Sequence, residues 1–333
     1  MALTLSILDQ SPIVSGSTPS EAVAATIALA READGLGYHR YWLAEHHAMG
    51  GLADASPEIL LARLTAETTR IRLGTGGIML PHYAGFKVAE SFRMLDALAP
   101  GRIDLGVGRA PGGAGLVNAA LESRDASLFP HQVLETIDFL RGATPPSSPF
   151  ARLVAMPSGV TSPEVWMLGS SPYGASLAAD LGLPYCFAHF IGGDAPDLAR
   201  GYLDAFRPRP GFERPRLMVA LAVLVAPTEE EAEELTLPLS LWRMRLFRGL
   251  TGPIPSLEET RAYPWTATER SEVAQTRRII AGTPSGVRDR LERFAAAYGT
   301  EELMIVTIAP DYASRSRSYR MLADVFAKSA VAA

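Results

Sequence analysis

The sequence predicts an α/β fold, a single (β/α)8 TIM barrel that spans residues 1–333 and carries an insertion after its seventh strand. Two observations predict it. Short apolar runs alternate with helical segments along the chain, which is the pattern of βαβ units and of a parallel sheet. Eight of these runs have the length of a strand, and eight parallel strands close such a barrel.

The eight predicted strands are short apolar runs bounded by turn residues or by helix start signals. In chain order they cover residues 3–8, 38–43, 71–75, 103–107, 165–168, 185–188, 217–225 and 303–308. We expect them to pair in parallel, each followed by at least one helix.

The segments between the strands carry helix start signals. Thr18, followed by Pro19 and Glu21, predicts a capping box with proline at the first helical position. Ser56 and Thr283 are each followed directly by proline and indicate two more helix starts of the same kind.

Glycines mark helix ends, and two longer stretches interrupt the alternation. Gly37 ends the first helix before strand two, and Gly299 ends the helix before strand eight. Residues 144–162, rich in Pro and Ser, and residues 249–272 are predicted to be loops. The second stretch follows strand seven, where a lid over a barrel site would lie, although a mobile surface insertion fits it equally.

Composition and charge narrow the class of protein. Hydrophobic residues make up 47% of the chain and charged residues 20%, so a large core can be buried and disorder is disfavoured. The net charge is −5 and the basic residues are dispersed, which argues against nucleic acid as a partner. No apolar run is long enough to span a membrane. Cys186 is the only cysteine, so we expect neither a disulfide nor a cysteine-rich metal site, and a cytoplasmic location.

Polar and glycine residues follow the predicted strands at their carboxyl ends, which is where barrel enzymes place their active sites. In strand order these residues are Asp9, then Glu45, His46 and His47, then Gly76 and Gly77, then Arg109, then Gly169, Ser170 and Ser171, and finally His189. The sequence therefore predicts a small-molecule site on this face.

Two of these groups suit an anion. The guanidinium of Arg109 could hold a phosphate through paired hydrogen bonds, or it could bridge to a carboxylate at the barrel rim. Ser170 and Ser171 open the helix after strand five, where free backbone N–H groups favour the same anion, although an ordinary serine cap fits as well. Gly169 completes this second half-site.

The other two groups suit a flat ligand and a proton. Gly76 and Gly77 predict a close backbone approach to a planar ring, or an ordinary turn. His46 and His47 are adjacent and point to opposite faces of an extended strand, which disfavours a shared metal ion. One of the two could exchange a proton at the barrel mouth, or could only hydrogen-bond to its neighbours.

Four segments together resemble the bacterial luciferase-like monooxygenase family. They are YWLAEHH at 41–47, GTGGIMLP at 74–81, LDALAPGR at 95–102 and GVGR at 106–109. The similarity resumes at 168–183 and 281–287, so it covers nearly the whole chain.

The resemblance implies a barrel that binds FMN at the carboxyl ends of its strands, with the phosphate held by Arg109 and by residues 169–171. His46 matches the catalytic histidine of the family, which assists formation or breakdown of a flavin C4a-peroxide. Reduced FMN would be a co-substrate delivered by a separate NAD(P)H:flavin reductase, and O2 would be used to oxygenate a small organic substrate. The resemblance also implies a homodimer in which early helices pack across the interface.

Three alternatives stay open at this point. The first keeps the barrel but uses the deazaflavin F420 for hydride transfer. The second is a catalytically silent flavin-binding protein. The third, a metal-dependent barrel hydrolase, is disfavoured because Asp9, Glu45 and His189 are too few to build its metal site.

Overall fold

A computed structural model describes residues 3–110, 115–276 and 278–330, with side chains described as far as residue 327. Its sheet has ten strands: β1 Thr4–Asp9, β2 Arg40–Leu43, β3 Arg72–Thr75, β4 Ile78–Met79, β5 Ile103–Gly108, β6 Glu164–Gly169, β7 Tyr185–Ala188, β8 Leu217–Val225, β9 Ile279–Gly282 and β10 Glu302–Val306. All the pairings between them are parallel. The eight predicted strands are confirmed.

The barrel closes because β10 pairs with β1 on one side and with β8 on the other. Strands β4 and β9 were not predicted. The short strand β4 continues the edge of β3 beyond Gly76 and Gly77 and pairs with the end of β5. Strand β9 pairs with the last four residues of β8. Strand β8 extends beyond the segment that pairs with β10, and this extension is the part that β9 contacts. The predicted (β/α)8 barrel with an insertion after its seventh strand is therefore confirmed.

Helices surround the barrel and connect its strands. They are α1 Pro19–Leu36, α2 Pro57–Thr65, α3 Gly85–Leu98, α4 Gly115–Ala120, α5 Phe129–Arg141, α6 Pro172–Asp180, α7 His189–Gly192, α8 Pro196–Ala205, α9 Glu229–Phe247, α10 Leu257–Ala262, α11 Ala267–Thr276, α12 Pro284–Tyr298 and α13 Tyr312–Ala330. Among the described residues, no helix combines the length and the apolar character that a membrane crossing requires.

The predicted ends of α1 are confirmed. The Thr18 hydroxyl accepts a hydrogen bond from the Glu21 amide at 3.2 Å, and the Glu21 carboxylate accepts one from the Thr18 amide at 2.7 Å. Gly37 ends the helix in the left-handed region, at φ 83°. Gly299 ends α12 in the same way, at φ 65°.

The other two predicted caps differ from the expectation. Proline does start both helices, but the side chain of neither Ser56 nor Thr283 caps its helix. The Thr283 hydroxyl instead donates to the Glu229 carboxylate at 3.0 Å, which ties the start of α12 to the start of α9.

The prediction of a structureless loop at residues 249–272 is wrong. The stretch contains α10 and the first part of α11. Ile254 is fully buried, and its amide donates to the carbonyl of Ile13 at 2.7 Å. The Trp242 indole donates to the Gly252 carbonyl at 2.9 Å. These contacts anchor the insertion to the loop that follows β1, at the carboxyl end of the barrel.

The prediction of a loop at residues 144–162 is confirmed, and this loop lies at the opposite end of the barrel, between α5 and β6. Arg93 holds it by donating to the carbonyls of Pro157 at 2.8 Å and of Leu140 at 2.6 Å. It takes no part in the predicted site.

An ion-pair network closes the amino end of the barrel. Arg40 is buried there, and its guanidinium lies 2.7 Å from the Asp104 carboxylate, 2.9 Å from Glu302 and 3.1 Å from Glu164. The Trp42 indole donates to the same Asp104 carboxylate at 2.9 Å. Buried charged groups need partners of opposite charge, and Arg40 has three such partners here. In the described part of the chain, these ion pairs fill the barrel axis at its amino end.

Candidate active site

One cavity of about 220 Å³ opens at the carboxyl end of the barrel. The six residues predicted to bind a cofactor all line it: Gly76, Gly77, Arg109, Gly169, Ser170 and Ser171. They come from the ends of β3, β5 and β6, which the barrel places side by side. The structure thus assembles residues that are up to 95 positions apart (171 − 76) into one site.

Backbone forms one wall of this cavity at Gly76 and Gly77. A Cβ atom on Gly76 would lie 2.5 Å from a methyl group of Leu8, and one on Gly77 would lie 2.8 Å from the carbonyl oxygen of Gly106. The peptide bond between the two glycines is cis. Both glycines line the cavity without a side chain, and at Gly77 neighbouring backbone leaves no room for one, so the backbone itself meets whatever occupies the cavity. The close packing around Gly77 favours the predicted close backbone approach over an ordinary turn.

Arg109 lies at the exposed edge of the cavity, above the first turn of α6. Its guanidinium stacks over the ring of Tyr173, 4.1 Å from the ring centroid. Among the residues that the structure describes, no carboxylate forms an ion pair with Arg109, so the rim bridge considered from the sequence is not seen there. The positive charge is held in place and faces the cavity.

The amino terminus of α6 faces the same space. Ser171 occupies the cap position, yet its side chain makes no capping hydrogen bond. Gly169 and Gly174 let the strand and the helix approach closely, because a Cβ on Gly169 would lie 3.4 Å from the Cα of Gly174. The first N–H groups of α6 therefore stay available to an anion, beside a guanidinium.

His46 does not line this cavity. It follows β2, its amide donates to the Asp54 carbonyl at 3.0 Å, and its ring atom Nδ1 is buried without a hydrogen-bond partner. Burial, and then the nearby His47, lower the pKa of His46 to about 4. The ring is therefore neutral at pH 7, with one nitrogen that can accept a proton and one that can donate it.

The second histidine is engaged by a buried carboxylate. The His47 ring atom Nε2 lies 2.6 Å from Glu45, which is fully buried. Glu45 also accepts hydrogen bonds from the Tyr83 hydroxyl and from the Met79 amide, both at 2.9 Å. Since Met79 lines the cavity, Glu45 connects the segment of His46 and His47 to the cavity wall.

The two remaining strand-end residues do not line the cavity. Asp9 is fully buried and forms an ion pair of 2.6 Å with Arg315. Burial alone would raise the pKa of Asp9, but the charge of Arg315 and its hydrogen bonds hold it below its ordinary value. His189 is buried, and its Nε2 lies 2.9 Å from Asp194. These side chains stabilise the fold around the site.

Sequence patterns did not predict Asp54, whose carbonyl accepts a hydrogen bond from the His46 amide. One carboxylate oxygen of Asp54 accepts from the Ser56 amide at 3.0 Å, while the other is buried without a partner. Burial raises the pKa of Asp54 to about 7. It lies in the loop after β2, away from any strand end, where sequence patterns do not distinguish it from other acidic loop residues.

No group of three or more His, Cys, Asp or Glu side chains converges on a possible metal position within the described ranges 3–110, 115–276 and 278–330.

Comparison with known proteins gives a consistent result. The model of the luciferase-like monooxygenase family matches residues 3–301. The chain is similar to the N-acetyl-S-alkylcysteine monooxygenase of Bacillus subtilis (strain 168), with 39% identity over 328 residues, 97% of this chain and 98% of that protein. It is also similar to the luciferase-like monooxygenase of Escherichia coli (strain K12), with 38% identity over 332 residues, 97% of each.

Solved structures share the architecture. The crystal structure of apo-MsnO8 has a TM-score of 0.90 and 38% identity, covering 98% of each chain. Two distant structures show the fold alone. One is the oxygenating constituent of 3,6-diketocamphane monooxygenase from the CAM plasmid of Pseudomonas putida in complex with FMN, with a TM-score of 0.71 and 17% identity over 98% of each chain. The other is an F420-dependent secondary alcohol dehydrogenase, with a TM-score of 0.69 and 15% identity over 98% of this chain and 99% of that one.

Proposed function

Because this chain belongs to the luciferase-like monooxygenase family, we propose that it is a flavin-dependent monooxygenase that uses reduced FMN and O2 to oxygenate a small organic substrate. The observation that carries the proposal is the single cavity that brings Arg109, the start of α6 and the Gly76–Gly77 backbone together. Family membership makes an oxidoreductase the expected class. The lining of the cavity supports FMN as the ligand in this proposal.

The cavity fits both ends of FMN. Arg109 and the uncapped start of α6 supply a guanidinium and free N–H groups for a phosphate. The backbone at Gly76 and Gly77, which line the cavity without a side chain, suits the face of a flat ring. When bound, reduced FMN supplies the two electrons with which one oxygen atom of O2 enters the substrate and the other leaves as water.

We propose that His46, although it does not line the cavity, handles a proton of the reaction. Its ring is neutral at pH 7 because its pKa is lowered to about 4. Its Nδ1 has no hydrogen-bond partner, so no neighbouring group competes for a proton at that atom. His47 differs from it, since Glu45 engages the His47 ring at 2.6 Å. We place the proton transfer of the reaction at His46, with Glu45 fixing the segment that carries it.

Reduced FMN would come from a separate NAD(P)H:flavin reductase. The glycine pair Gly106 and Gly108, which invites comparison with a dinucleotide fingerprint, lies within strand β5 instead of in a loop that opens a helix. In the part of the chain that the structure describes, this glycine pair does not form a nicotinamide site of this type.

A homodimer is also part of the proposal. Helices α2 and α3 pack together and expose three large apolar side chains: Ile59 is 69% exposed, Met94 54% and Leu98 54%. A second copy of the chain would remove this apolar surface from water.

The test is oxygen incorporation. The protein is supplied with FMN, an NAD(P)H:flavin reductase and ¹⁸O2, and N-acetyl-S-methylcysteine is the first substrate, chosen because a relative is named for N-acetyl-S-alkylcysteines. We expect one ¹⁸O atom in the product, with His46→Gln slower by about 10²-fold or more and Arg152→Gln, in the exposed loop at the amino end of the barrel, unchanged.

Other outcomes discriminate the alternatives. Hydride transfer with reduced F420, in place of oxygen incorporation with reduced FMN, would identify the deazaflavin enzyme. Binding of FMN without turnover of any thioether, ketone or aldehyde offered would identify a silent flavin-binding protein.

A further inference from the structure

A second cavity lies in the insertion that follows β8. It measures about 320 Å³ and is bounded by α9, α11 and the start of β9. Three arginines line it, Arg243, Arg248 and Arg278, together with one carboxylate, that of Glu272. The lining is therefore rich in positive charge, although the chain as a whole has a net charge of −5.

The three arginines differ in how their charges are matched. Arg248 lies 2.8 Å from the carboxylate of Glu269 and 4.0 Å from that of Glu272. Arg243 and Arg278 are half-buried, and in the part of the chain that the structure describes neither forms an ion pair with a carboxylate. They lie near each other, because burial and then the positive charge of Arg278 lower the pKa of Arg243. Like charges in a half-buried cavity repel each other, and a bound anion relieves this repulsion.

Part of the cavity wall is apolar. Met244 and Val273 line it, and so does Phe247, which is 82% exposed. An exposed aromatic ring beside guanidinium groups offers a flat apolar surface to the body of an organic ligand. An inorganic anion would leave this surface in contact with water. The cavity thus combines a position for an anionic group with a surface for an apolar group.

This cavity is separate from the proposed flavin cavity, and the two share no lining residue. Helix α7 and Gly193 lie between them. The Arg278 guanidinium donates a hydrogen bond to the carbonyl of Ile191, which lines the flavin cavity. A Cβ atom on Gly193 would lie 3.2 Å from Arg278 Nε. A small molecule bound by the arginines is therefore a different molecule from the one in the flavin cavity.

We propose that Arg243 and Arg278 bind the phosphate group of a small organic phosphate monoester whose apolar part packs against Phe247. Two planar guanidinium groups supply paired N–H donors for the three terminal oxygens of such a group. A phosphate monoester carries a charge of about −1.5 to −2 at pH 7, which matches two arginines, whereas a carboxylate would neutralise only one. The site does not depend on the proposed function, because none of its residues lines the flavin cavity.

Calorimetry on the whole protein tests the site with two probes, phenyl phosphate and inorganic phosphate. The wild type should bind phenyl phosphate about tenfold or more tightly than inorganic phosphate, because the phenyl ring removes apolar surface from water. Phe247→Ala should weaken the binding of phenyl phosphate and leave that of inorganic phosphate unchanged. Since Phe247 is 82% exposed, this substitution tests the apolar contact without disturbing the core.

The charge of the two arginines is tested on the same probe. Arg243→Gln and Arg278→Gln should each bind phenyl phosphate about tenfold or more weakly than the wild type, since each loses charge-assisted hydrogen bonds. Arg243→Lys should recover part of the affinity because it keeps the charge. The matched control is Arg245→Gln on the same helix. Arg245 does not line the cavity and lies 5.7 Å from the centre of the Tyr263 ring, so this variant should bind as the wild type does.

Arg109→Gln separates this site from the flavin cavity. It removes the phosphate partner proposed there and should leave the affinity for phenyl phosphate unchanged. Loss of binding in Arg109→Gln, with binding retained in Arg243→Gln, would place the phosphate in the flavin cavity and overturn the proposal.

Three further results would overturn it. They are the absence of phenyl phosphate binding by the wild type, wild-type affinity in both glutamine variants of the arginine pair, and equal affinity for the two probes, which would mean a site for an inorganic anion. Failure of the wild type to bind FMN, with this binding of phenyl phosphate intact, would contradict the flavin enzyme and support a separate phosphate site.

Discussion

Arg109 and Tyr173 lie on consecutive βα units, and the Arg109 guanidinium stacks 4.1 Å above the centre of the Tyr173 ring. Arg109 follows β5, while Tyr173 is in the first turn of α6. The stack therefore couples the two halves of the proposed phosphate site, since it holds the guanidinium beside the free N–H groups of the helix. The residue types of Arg109 and Tyr173 do not predict from the sequence that the two side chains stack.

Removal of the ring should weaken FMN binding without abolishing it. Tyr173→Leu leaves Arg109 in place but frees its side chain, and a stack at an exposed site contributes about 0.5–1 kcal/mol, which corresponds to about a two- to fivefold loss of affinity. Flavin fluorescence titration measures it. Tyr173→Phe keeps the ring and should bind FMN as the wild type does. Equal loss in both variants would show that the hydroxyl matters and not the stack.

A side chain at Gly77 should destabilise the fold as well as the site. Its Cβ would lie 2.8 Å from the carbonyl oxygen of Gly106, which is backbone and cannot move aside. We expect Gly77→Ala to lower the free energy of unfolding by about 1–3 kcal/mol. Urea denaturation is the measurement, and Gly35→Ala is the control. Nothing lies within 4 Å of that position inside α1, so it should be neutral or stabilising by about 0.5–1 kcal/mol.

Asp54 should make stability depend on pH between about 4 and about 7. Burial raises its pKa to about 7, whereas the carboxyl of the unfolded chain ionises near 3.8. Between these values the folded form retains a proton that the unfolded form has lost, so the free energy of unfolding falls as the pH rises and levels off above about 7.

The comparison with Asp54→Asn isolates this effect. The amide keeps an oxygen for the Ser56 N–H and has no charge to bury. The stability of Asp54→Asn relative to the wild type should therefore increase from pH 4 to pH 7 and then stay constant. Parallel stability curves for the two proteins would show that Asp54 does not titrate in this range.

A charge on the exposed face of α3 should dissociate the proposed dimer. Leu98→Asp would place an unpaired carboxylate in an apolar interface, which costs several kcal/mol when it is buried. Light scattering should then report a monomer, and the wild type a dimer. Leu153→Asp is the matched control, because Leu153 is 46% exposed in the loop at the opposite end of the barrel. Dissociation by both variants, or by neither, would contradict this interface.

The barrel could be predicted because its strands are buried on both faces. A run such as β8, with all nine residues buried, cannot alternate polar and apolar residues, and so it is distinct from the helices around it. Strand β4 has only two residues, and β9 ends at a glycine, so neither has a run long enough to recognise. Helix α10 lies among prolines. Because proline is typical of turns and loops, the sequence predicted a loop there.

The site could be predicted only in part, for a similar reason. Arg109, the serines before α6 and the glycine pair directly follow strands, so the barrel itself brings them together. Asp54 lies in a loop, and its carbonyl reaches the His46 amide through tertiary packing that no spacing encodes. The pairing of His47 with Glu45, which distinguishes it from His46, likewise depends on where Tyr83 and Met79 fold back.

Anaerobic titration with reduced FMN tests the central claim most directly. Affinity is measured for the wild type, for Arg109→Gln and for Arg152→Gln, whose side chain is exposed in the loop at the amino end of the barrel. The account predicts saturable binding by the wild type and by Arg152→Gln, and an affinity about tenfold or more lower for Arg109→Gln. Absence of binding by the wild type, or equal affinity in all three proteins, would contradict it.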